Sequence, residues 1–299
     1  MNEAINIPPK FVSGIMSDFG ETGKSWLETI PSKFQSYCEK WNLIVDGEPA
    51  HGHLSLVVPV IRDDEKCVLK VAWMDEASHF EVQALQLWNG NGAVKLLNSD
   101  PDDGVQLLER LNFNKTLEHT NAGEAITVAG KLLRRLAIPA PSEFPKLKDQ
   151  TELTIRIMLD RWEKLGEPFS KQILHSAIET AQKLAPTTAE LLVDHDLHYG
   201  NVLEGEREPW LVIDPKVIAG DPEFGLFPLM LRRQEETKDI ESLTHRFNKL
   251  IESGELDEEI SRGWTLVRCV DYWLWALSVG YTDDPKRCEF IANWLLQSR

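Results

Sequence analysis

Two aspartates and one asparagine in the second half of the chain stand beside apolar runs, in an order that could perform phosphoryl transfer. Asp196 follows the run 191–193, Asn201 comes five residues after it, and Asp214 ends the run 210–213. Transfer of a phosphoryl group to an alcohol requires a carboxylate that accepts or orients the hydroxyl proton, and hard oxygen ligands that hold Mg²⁺. The apolar runs predict short strands that bring the three side chains to one end.

Each of these residues has a simpler explanation when it is considered alone. Aspartate and asparagine form turns readily, so Asp196 or Asn201 by itself is better explained as a turn former. The ordered set favours chemistry instead, because D-x4-N followed by an apolar strand ending in Asp is the catalytic half of the protein-kinase pattern. This interpretation requires a nucleotide-binding half elsewhere in the chain.

The first half of the chain predicts an antiparallel sheet with one helix. Five strands are expected, at 41–45, 53–60, 67–72, 93–97 and 105–111. Lys70 lies inside the third strand, and the helix predicted from Ala77 to Trp88 carries Glu81 near its start. A strand lysine paired with a helix glutamate is how kinase-like proteins position the nucleotide phosphates. A lysine on an edge strand that points to solvent would explain Lys70 equally well.

The exit of the fifth strand is where a kinase-like hinge would hold adenine through backbone groups. In that register Glu109 supplies a carbonyl and Leu111 supplies an amide. Backbone contacts leave little trace in a sequence, so these two residues are placed by register alone.

A glycine-rich segment near the N-terminus resembles part of a phosphate-binding P-loop. It runs from Gly20 to Ser25, but Asp18 stands where that motif requires its first glycine, and no apolar strand precedes it. Residues 1–40 are instead typical of one or two amphipathic helices with aromatic anchors. We interpret the segment as a turn at the start of a helix.

Composition limits the possible partners and the compartment. The net charge of −16 disfavours binding to nucleic acids and to anionic membranes, and would attract a cationic ligand, although it also fits plain solubility. No apolar run approaches the ~20 residues needed to span a bilayer, and the N-terminus lacks the pattern of a signal peptide. The four cysteines are widely spaced, which suggests thiols in a reducing compartment. We therefore expect a cytoplasmic protein.

The chain is long enough for two lobes. Residues 1–111 are expected to form N-terminal helices and a nucleotide-binding lobe, and residues 112–299 a lobe with the catalytic loop and the acceptor site. Helices are predicted in the second lobe at 122–136, 151–165 and 170–185, and again after residue 225. The fold class is thus α+β, a bilobal protein-kinase-like fold with a five-stranded antiparallel sheet and one helix in the first lobe and a mainly helical second lobe.

With these residues assembled, the chain resembles the aminoglycoside phosphotransferase superfamily, closest to the branch of streptomycin 6-phosphotransferases and hydroxyurea-resistance kinases. The resemblance runs from Trp26 to roughly Trp294. Its most specific pieces are residues 81–88, 92–97, 107–111, 196–203 and 213–216, followed by Gly220-Asp221-Pro222.

The resemblance implies a role for each matching residue, with ATP as phosphoryl donor and Mg²⁺ as cofactor. Asp196 is similar to the family's catalytic base, and Asn201 and Asp214 to its magnesium ligands. Lys70 would contact the nucleotide phosphates, and Glu81 would hold Lys70 in place. The loop from Gly47 to Gly52 would cover the triphosphate. His198 is a rival for the base, but a packing role in the loop explains it adequately.

Two positions depart from the family pattern. The family usually has His-Gly ahead of the catalytic aspartate, where this chain has Asp194 and His195. An acid at position 194 could place a second carboxylate close to the base. The family also commonly has an aspartate at the position of Gly225, and we expect its loss to weaken local structure more than chemistry.

The acceptor is expected in the second lobe, lined by helices that follow Asp214. Acidic and aromatic side chains there would suit a cationic guanidino or amino sugar, although helical spacing assigns most of the aromatics to the core. The candidates are Asp221, Glu223, Trp264, Asp271, Tyr272, Trp273, Trp275, Asp283 and Asp284.

Four functions remain open. The first is phosphorylation of an aminoglycoside such as streptomycin, and the second is the same chemistry on another small hydroxylated metabolite or sugar. A protein kinase is disfavoured, because no D-F-G or A-P-E pattern follows Asp214. A nucleotide-binding module with little catalysis is kept open by Asp194 and Gly225. We expect the protein to act as a monomer.

Overall fold

The structure, a computed structural model, describes residues 5–74 and 76–297, with residues 76 and 77 described by their backbone only. The first four and last two residues of the predicted lobes therefore lie outside the described residues. Within the described residues the chain divides into two compact units, the first up to residue 112 together with 205–207 and the second comprising 113–204 and the remainder from residue 208. Across the described residues, no helix combines the length and the apolarity that a membrane span requires.

Helix α1, Pro9–Lys40, consists of two helical segments joined at Gly20, whose φ of 54° and ψ of −129° are not helical. Glycine adopts a positive φ at little steric cost. Gly23 lies directly after the kink, and a Cβ there would stand 2.7 Å from the carbonyl oxygen of Ile15. The glycines of this segment thus serve a change in helix direction. The predicted start of a helix is present as a kink at Gly20, after which residues 21–25 are helical and do not form a phosphate-binding loop.

Within the described residues, the sheet of the first unit has a strand at or near each of the five predicted positions and one additional short strand, but the fourth predicted strand, 93–97, is shifted to 96–100. In spatial order its main path runs β1-β3-β4-β6-β5, with β2 paired to β3, and every pairing is antiparallel. The strands are β1 Ile44–Val45, β2 Ala50–His51, β3 Ser55–Arg62, β4 Glu65–Ala72, β5 Leu96–Asp100 and β6 Val105–Glu109. Helix α2, Glu76–Trp88, connects β4 to β5.

The beginning of this sheet corrects two sequence predictions. The predicted strand 41–45 shrinks to β1, because α1 continues to Lys40 and Asn42 takes a φ of 53°. The predicted phosphate-covering loop 47–52 is not one loop, since its end is strand β2. The tight turn that joins β2 to β3 is closed by a hydrogen bond of 2.9 Å from Gly52 N to Ser55 O.

The second unit contains two small sheets. Strand β8, Leu191–Asp194, pairs antiparallel with β11, Val217–Gly220, while β9 lies between β10 and β7. The remaining strands are β7 Asn112–Thr116, β9 Val202–Glu204 and β10 Leu211–Val212. Strand β11 was not predicted, since only helices after residue 225 were expected beyond Asp214.

Seven helices within the described residues form the rest of the second unit. Helix α3 matches its prediction, whereas α4 begins four residues earlier than expected. Asn121, Ser170, Asp239 and Asp257 accept backbone N–H hydrogen bonds at the N-termini of α3, α5, α7 and α8, as N-cap residues do. The helices are α3 Ala122–Leu136, α4 Leu147–Lys164, α5 Lys171–Leu184, α6 Phe227–Leu231, α7 Ile240–Gly254, α8 Glu258–Ser278 and α9 Asp283–Gln297.

Candidate active site

The three residues that opened the sequence analysis are brought together by two strand pairings. Asp194, at the end of β8, pairs with Val217, at the start of β11, so the segments 195–201 and 213–216 emerge at the same end. Backbone hydrogen bonds then join these segments at both extremes, from His195 N to Lys216 O at 2.8 Å and from Ile213 N to Asn201 O at 2.9 Å. The backbone ladder therefore brings the positions of Asp196, Asn201 and Asp214 to the same end, and their common site stays a prediction.

Lys216 pairs with the predicted catalytic carboxylate. Its Nζ lies 2.8 Å from Oδ2 of Asp196. Burial pushes the pKa of Asp196 upward, but the charge and hydrogen bond of Lys216 outweigh burial, so the net pKa is lowered. Burial in turn opposes the charge of Lys216, yet Asp196 and Asp214 raise its pKa above the ordinary value. Asp196 is therefore a carboxylate at neutral pH, as a proton acceptor must be.

Asp194 contacts the backbone of both members of this pair and is 1% exposed. Its Oδ1 accepts hydrogen bonds from the backbone N–H groups of Asp196, at 3.0 Å, and Lys216, at 3.1 Å. Its Oδ2 is buried without a hydrogen-bond partner among the described residues. Burial, and secondarily the charge of Asp196, raises the pKa of Asp194 to about 8. The acid expected near the base is present, and it fixes the backbone of Asp196 and Lys216 through these two hydrogen bonds, which we call the backbone clamp.

Two histidines, His195 and His198, lie on either side of Asp196 in the sequence and make hydrogen bonds that stabilise the loop. Burial, followed by the charge of Arg268, lowers the pKa of His195 to about 3, so its ring is neutral. Arg268 donates to the His195 carbonyl oxygen at 2.7 Å. The Nδ1 atom of His198 accepts from Gly200 N at 3.2 Å, and burial lowers the pKa of His198. The capping bond supports the packing role expected for His198, and the catalytic role of Asp196 stays a prediction.

Gly225 corrects a further expectation. A Cβ at this position would stand 2.5 Å from Cδ1 of Leu133 and 2.8 Å from the carbonyl oxygen of Asp194. Real Cβ atoms do not approach other atoms so closely, and the second contact is with backbone that cannot easily move. The expectation that loss of an aspartate here weakens local structure is therefore wrong, because the structure has no room for any side chain at residue 225.

Asn201 and Asp214 were predicted as magnesium ligands. The carbonyl oxygen of Asn201 accepts a hydrogen bond from the backbone N–H of Ile213, the residue before Asp214, so the two predicted ligands lie on adjacent segments. Asp214 is exposed and has a φ of 54°. Among the described residues, no group of three or more His, Cys, Asp or Glu side chains could enclose a metal. This donor set suits Mg²⁺, which is bound through one or two protein oxygens together with substrate phosphates and water. The metal assignment remains a prediction, and the residues present fit it.

The first unit contains the predicted lysine–glutamate pair. Nζ of Lys70 lies 2.6 Å from Oε1 of Glu81, and their side chains are 6% and 7% exposed. Lys70 stands opposite Val57 on one side and Gln106 on the other, so it lies inside the sheet. The alternative of a solvent-facing lysine on an edge strand is therefore wrong. A lysine held this way by an acid is the arrangement that binds nucleotide phosphates in kinase-like folds.

Glu109 and Leu111 were predicted to hold adenine through their backbone. Glu109 ends β6, and Leu111 lies in the connection to β7. The structure gives the side chain of Glu109 an additional role, since its carboxylate accepts from Lys95 N at 2.8 Å and from Arg207 Nη2 at 2.7 Å. Arg207 also donates to the Gly90 carbonyl oxygen at 2.6 Å. The adenine contacts stay a prediction, whereas the link to Arg207 had no signal in the sequence.

Most of the acidic residues proposed to meet the acceptor are occupied with structural bonds. Asp221 accepts from Ala189 N at 2.7 Å and from Trp264 Nε1 at 2.8 Å. Glu223 accepts from Asp257 N at 2.9 Å. Trp273 is 5% exposed, which confirms its assignment to the core.

Asp271 differs from these residues because it lines a cavity of about 190 Å³. Burial raises the pKa of Asp271, while the charges of Arg161 and Arg268 oppose that change. Nη1 of Arg161 lies 3.4 Å from Oδ1 of Asp271. The cavity thus combines an already compensated acid with polar and aromatic surfaces, and it reaches the residue before Asp196. It is lined by Leu147, Gln150, Thr151, Thr154, His195, Ile218, Phe224, Trp264, Val267, Arg268 and Asp271.

The sequence matches a family and several of its members. The model of aminoglycoside/hydroxyurea antibiotic resistance kinases matches residues 40–280. A streptomycin 6-kinase of Streptomyces glaucescens is 33% identical over 286 residues, which cover 93% of this chain and 93% of that protein. A hydroxyurea phosphotransferase of Kitasatospora aureofaciens is 34% identical over 297 residues, covering 98% of this chain and 86% of that protein. These matches confirm the resemblance predicted from the motifs.

Solved structures with the same fold are more distant in sequence. A thermostable mutant of aminoglycoside phosphotransferase APH(4)-Ia, in a ternary complex with ADP and hygromycin B, gives a TM-score of 0.60 at 14% identity, covering 87% of this chain and 97% of that chain. Choline kinase LicA from Streptococcus pneumoniae gives 0.57 at 12% identity, covering 89% and 99%. At such low identities the comparisons show the fold alone. The structural similarity, with TM-scores of 0.60 and 0.57, confirms the predicted α+β protein-kinase-like class.

Proposed function

This chain belongs to the aminoglycoside/hydroxyurea antibiotic resistance kinases, phosphotransferases with an alcohol group as acceptor, and we propose that it transfers the γ-phosphoryl group of ATP to a hydroxyl of an aminoglycoside such as streptomycin. The observation that carries the proposal is the pair of hydrogen-bonded segments that presents Asp196, Asn201 and Asp214 at one end of β8 and β11. The name of the 33% identical relative supplies the acceptor class.

The residues of the second unit would perform the transfer as follows. Asp196, ionised because of Lys216, orients the acceptor hydroxyl and receives its proton. The hydroxyl oxygen forms a bond to the γ-phosphorus, the bond from that phosphorus to the β–γ bridging oxygen breaks, and the electron pair leaves with ADP. Asn201 and Asp214 would hold Mg²⁺, which supplies positive charge to the phosphate oxygens when it is bound.

The residues of the first unit would bind the nucleotide. Lys70, fixed by Glu81 at 2.6 Å, would contact the α- and β-phosphates. The backbone of Glu109 and Leu111 would hold adenine. Accordingly, we propose that residues 1–111 form the nucleotide-binding domain and residues 112–299 the catalytic and acceptor-binding domain.

A second acceptor class has one observation in its favour. In the cavity beside His195, Asp271 already faces Arg161 at 3.4 Å and lies near Arg268. That acid is therefore largely neutralised, so the cavity does not demand a cationic ligand. Gln150 and Thr151 offer hydrogen bonds to hydroxyl groups there. A neutral hydroxylated compound, such as hydroxyurea or a sugar, is thus the alternative acceptor.

The two classes are separated by incubating the protein with ATP, Mg²⁺ and a panel of acceptors, and by measuring the mass of each acceptor afterwards. The panel contains streptomycin, hygromycin B, hydroxyurea and neutral sugars. We expect streptomycin to gain one phosphate in proportion to the ADP formed. Phosphorylation of the neutral compounds alone would overturn the aminoglycoside assignment. ADP binding without phosphorylation of any acceptor would identify a binding module.

The assignment of the base is tested in the same assay with Asp196→Asn. This change keeps the shape of the side chain and removes its ability to accept a proton. Turnover should fall by ~10²–10⁴, the usual scale for a positioned acid–base group. A variant that phosphorylates the acceptor near the parent rate would refute the role of Asp196.

A further inference from the structure

Lys216 lies where the second unit concentrates acidic side chains, and its role goes beyond holding the charge of Asp196. Its Nζ lies 2.8 Å from Oδ2 of Asp196, and the charge of Asp214 also acts on it. The structure thus places one ammonium group beside two carboxylates, while the raised pKa of Asp194, about 8, keeps that buried acid largely protonated at neutral pH. An incoming triphosphate would be repelled by the two carboxylates, so a cation at this place has an electrostatic task beyond local pairing.

Stability alone does not explain how Lys216 is held. Its side chain is 54% exposed and that of Asp196 is 35% exposed, and ion pairs this accessible to water contribute little to stability. The backbone of Lys216 is nevertheless fixed on both sides. Its N–H donates to Asp194 Oδ1 at 3.1 Å, and its carbonyl oxygen accepts from His195 N at 2.8 Å. A firmly held backbone beneath an accessible ammonium group is the arrangement expected of a residue that meets substrate.

The chemistry of transfer specifies what that ammonium group would meet. Negative charge spreads over the non-bridging oxygens of the phosphoryl group as it moves, and cations aimed at those oxygens lower the barrier. A lysine ammonium has three N–H donors, so one can remain on Asp196 while the others point elsewhere. Arg268, also near Asp196, already donates to the carbonyl oxygens of His195 and Phe224 at 2.7 and 3.0 Å.

We propose that Lys216 is a further catalytic residue, whose ammonium group donates to the non-bridging oxygens of the γ-phosphoryl group while it also holds Asp196. The acceptor oxygen bonds to phosphorus, the bond to the bridging oxygen breaks with its electron pair leaving on ADP, and the proton passes to Asp196. Lys216 exchanges no proton in this step. The assignment rests on the proposed phosphotransferase function.

The first test measures nucleotide binding, which needs no acceptor. Titration calorimetry with Mg²⁺ compares ADP with ADP plus aluminium fluoride, a mimic of the phosphoryl group in transfer. In Lys216→Met we expect the affinity for ADP to change by less than ~3-fold and that for the aluminium fluoride complex to fall by ~10–100-fold, the scale of a lost charge-assisted hydrogen bond. Equal affinities of parent and variant for the fluoride complex would overturn the proposal.

The second test separates direct contact from action through Asp196. If Lys216 only positions Asp196, Lys216→Met has no further effect in an Asp196→Asn background. We expect kcat to fall by ~10²–10³ in Lys216→Met alone, and by a further ~10-fold or more in the double variant. Lys216→Arg should recover part of the loss, because it keeps the charge. An unchanged rate between the Asp196→Asn protein and the double variant would refute direct contact.

A matched control is the ion pair of Lys183 with Glu259, which has the same separation of 2.8 Å and is 70% and 80% exposed. Lys183→Met should change neither the fluoride complex nor kcat. The parent protein is assayed beside all variants. Absence of phosphoryl transfer by the parent would refute the proposed function. Transfer by the parent that Lys216→Met leaves unchanged would refute only the assignment of Lys216. Thermal unfolding checks that the variants are folded.

Discussion

Replacement of Asp194 should separate two effects of one buried carboxyl group, its clamp on the active-site backbone and its own ionisation. Its Oδ1 accepts two backbone N–H groups, at 3.0 Å from Asp196 and 3.1 Å from Lys216. Asp194→Ala leaves both amides unpaired at a position that is 1% exposed, whereas Asp194→Asn retains an acceptor oxygen in the same place. Comparison of these two variants therefore distinguishes loss of the clamp from loss of the charge.

The alanine variant should be the less stable of the two. An unsatisfied buried amide costs about 1–3 kcal/mol, so two of them predict a loss of about 2–6 kcal/mol in the free energy of unfolding. The same change releases Asp196 from its fixed position. Misplacement of a reacting group by about 1 Å can lower turnover ~10²-fold, so the alanine variant should also lose activity, while the asparagine variant keeps most of it.

The ionisation of Asp194 adds a dependence on pH. Burial raises its pKa from 3.8 to about 8 in the folded protein, so between these values the unfolded chain releases a proton that the folded protein retains. Stability from this group is fully present below pH ~4 and is lost as pH rises toward ~8, at no more than ~1.4 kcal/mol per pH unit. Asp194→Asn cannot ionise, so its stability relative to the parent should increase across that interval.

Urea unfolding of parent and Asp194→Asn at pH 4.5, 6 and 7.5 measures this difference. All other titrating groups are shared, so the slope of the difference isolates residue 194. We expect the variant to gain on the order of several kcal/mol relative to the parent from pH 4.5 to 7.5. A difference that stays constant with pH would show that Asp194 is ionised throughout, and would refute the role of burial. Equal stability of the alanine and asparagine variants would refute the clamp.

Three further predictions follow from other contacts. Lys70→Met or Glu81→Gln alone breaks the buried ion pair between these residues and should lower the free energy of unfolding, measured in urea, by about 3–5 kcal/mol. The double variant Lys70→Met with Glu81→Leu should recover stability but not the affinity for ADP measured by calorimetry, and recovery of both would contradict the phosphate-binding role. Gly225→Ala should lower the free energy of unfolding by about 1–3 kcal/mol, because the added carbon makes short contacts. Gly14→Ala is the control and should be neutral or stabilising, since no atom lies within 4 Å of the added carbon. Similar changes in stability at the two glycines would contradict the packing argument. Asn201→Ala should raise the Mg²⁺ concentration needed for half-maximal turnover, and an unchanged magnesium dependence would remove Asn201 from the metal site.

The local sequence pattern was sufficient to predict the structure wherever a single helix or strand was involved. The helix predicted at 122–136 is α3 with its observed ends, and the apolar run around Lys70 predicted a strand that the structure contains as β4. The pairing of Lys70 with Glu81 was predictable because few partners suit a lysine inside an apolar strand. The order of Asp196, Asn201 and Asp214 was likewise readable, since short strands on either side limit where each side chain can lie.

The contacts that failed to be predicted join residues that are far apart in the sequence. Strand β11 was not predicted although Val217 and Ile218 are β-branched residues that favour strands. The run is only four residues long, and its partner β8 lies more than 20 residues earlier in the chain. The bond from Arg207 to Glu109 spans 98 residues, and no periodic pattern records such a distance. The salt bridge of Lys216 with Asp196 was missed for the same reason.

The two departures from the family pattern are connected in the structure. Position 225 faces the backbone of position 194, since a Cβ on Gly225 would stand 2.8 Å from the Asp194 carbonyl oxygen. Residue 225 therefore cannot supply an acid to this region, whereas the carboxyl group of Asp194 accepts hydrogen bonds from the amides of Asp196 and Lys216. The two positions are thus coupled, because the absence of a side chain at residue 225 leaves room for the backbone of Asp194. Since Asp194 also fixes the backbone N–H of Lys216, the acid at position 194 helps to place the ammonium group of Lys216.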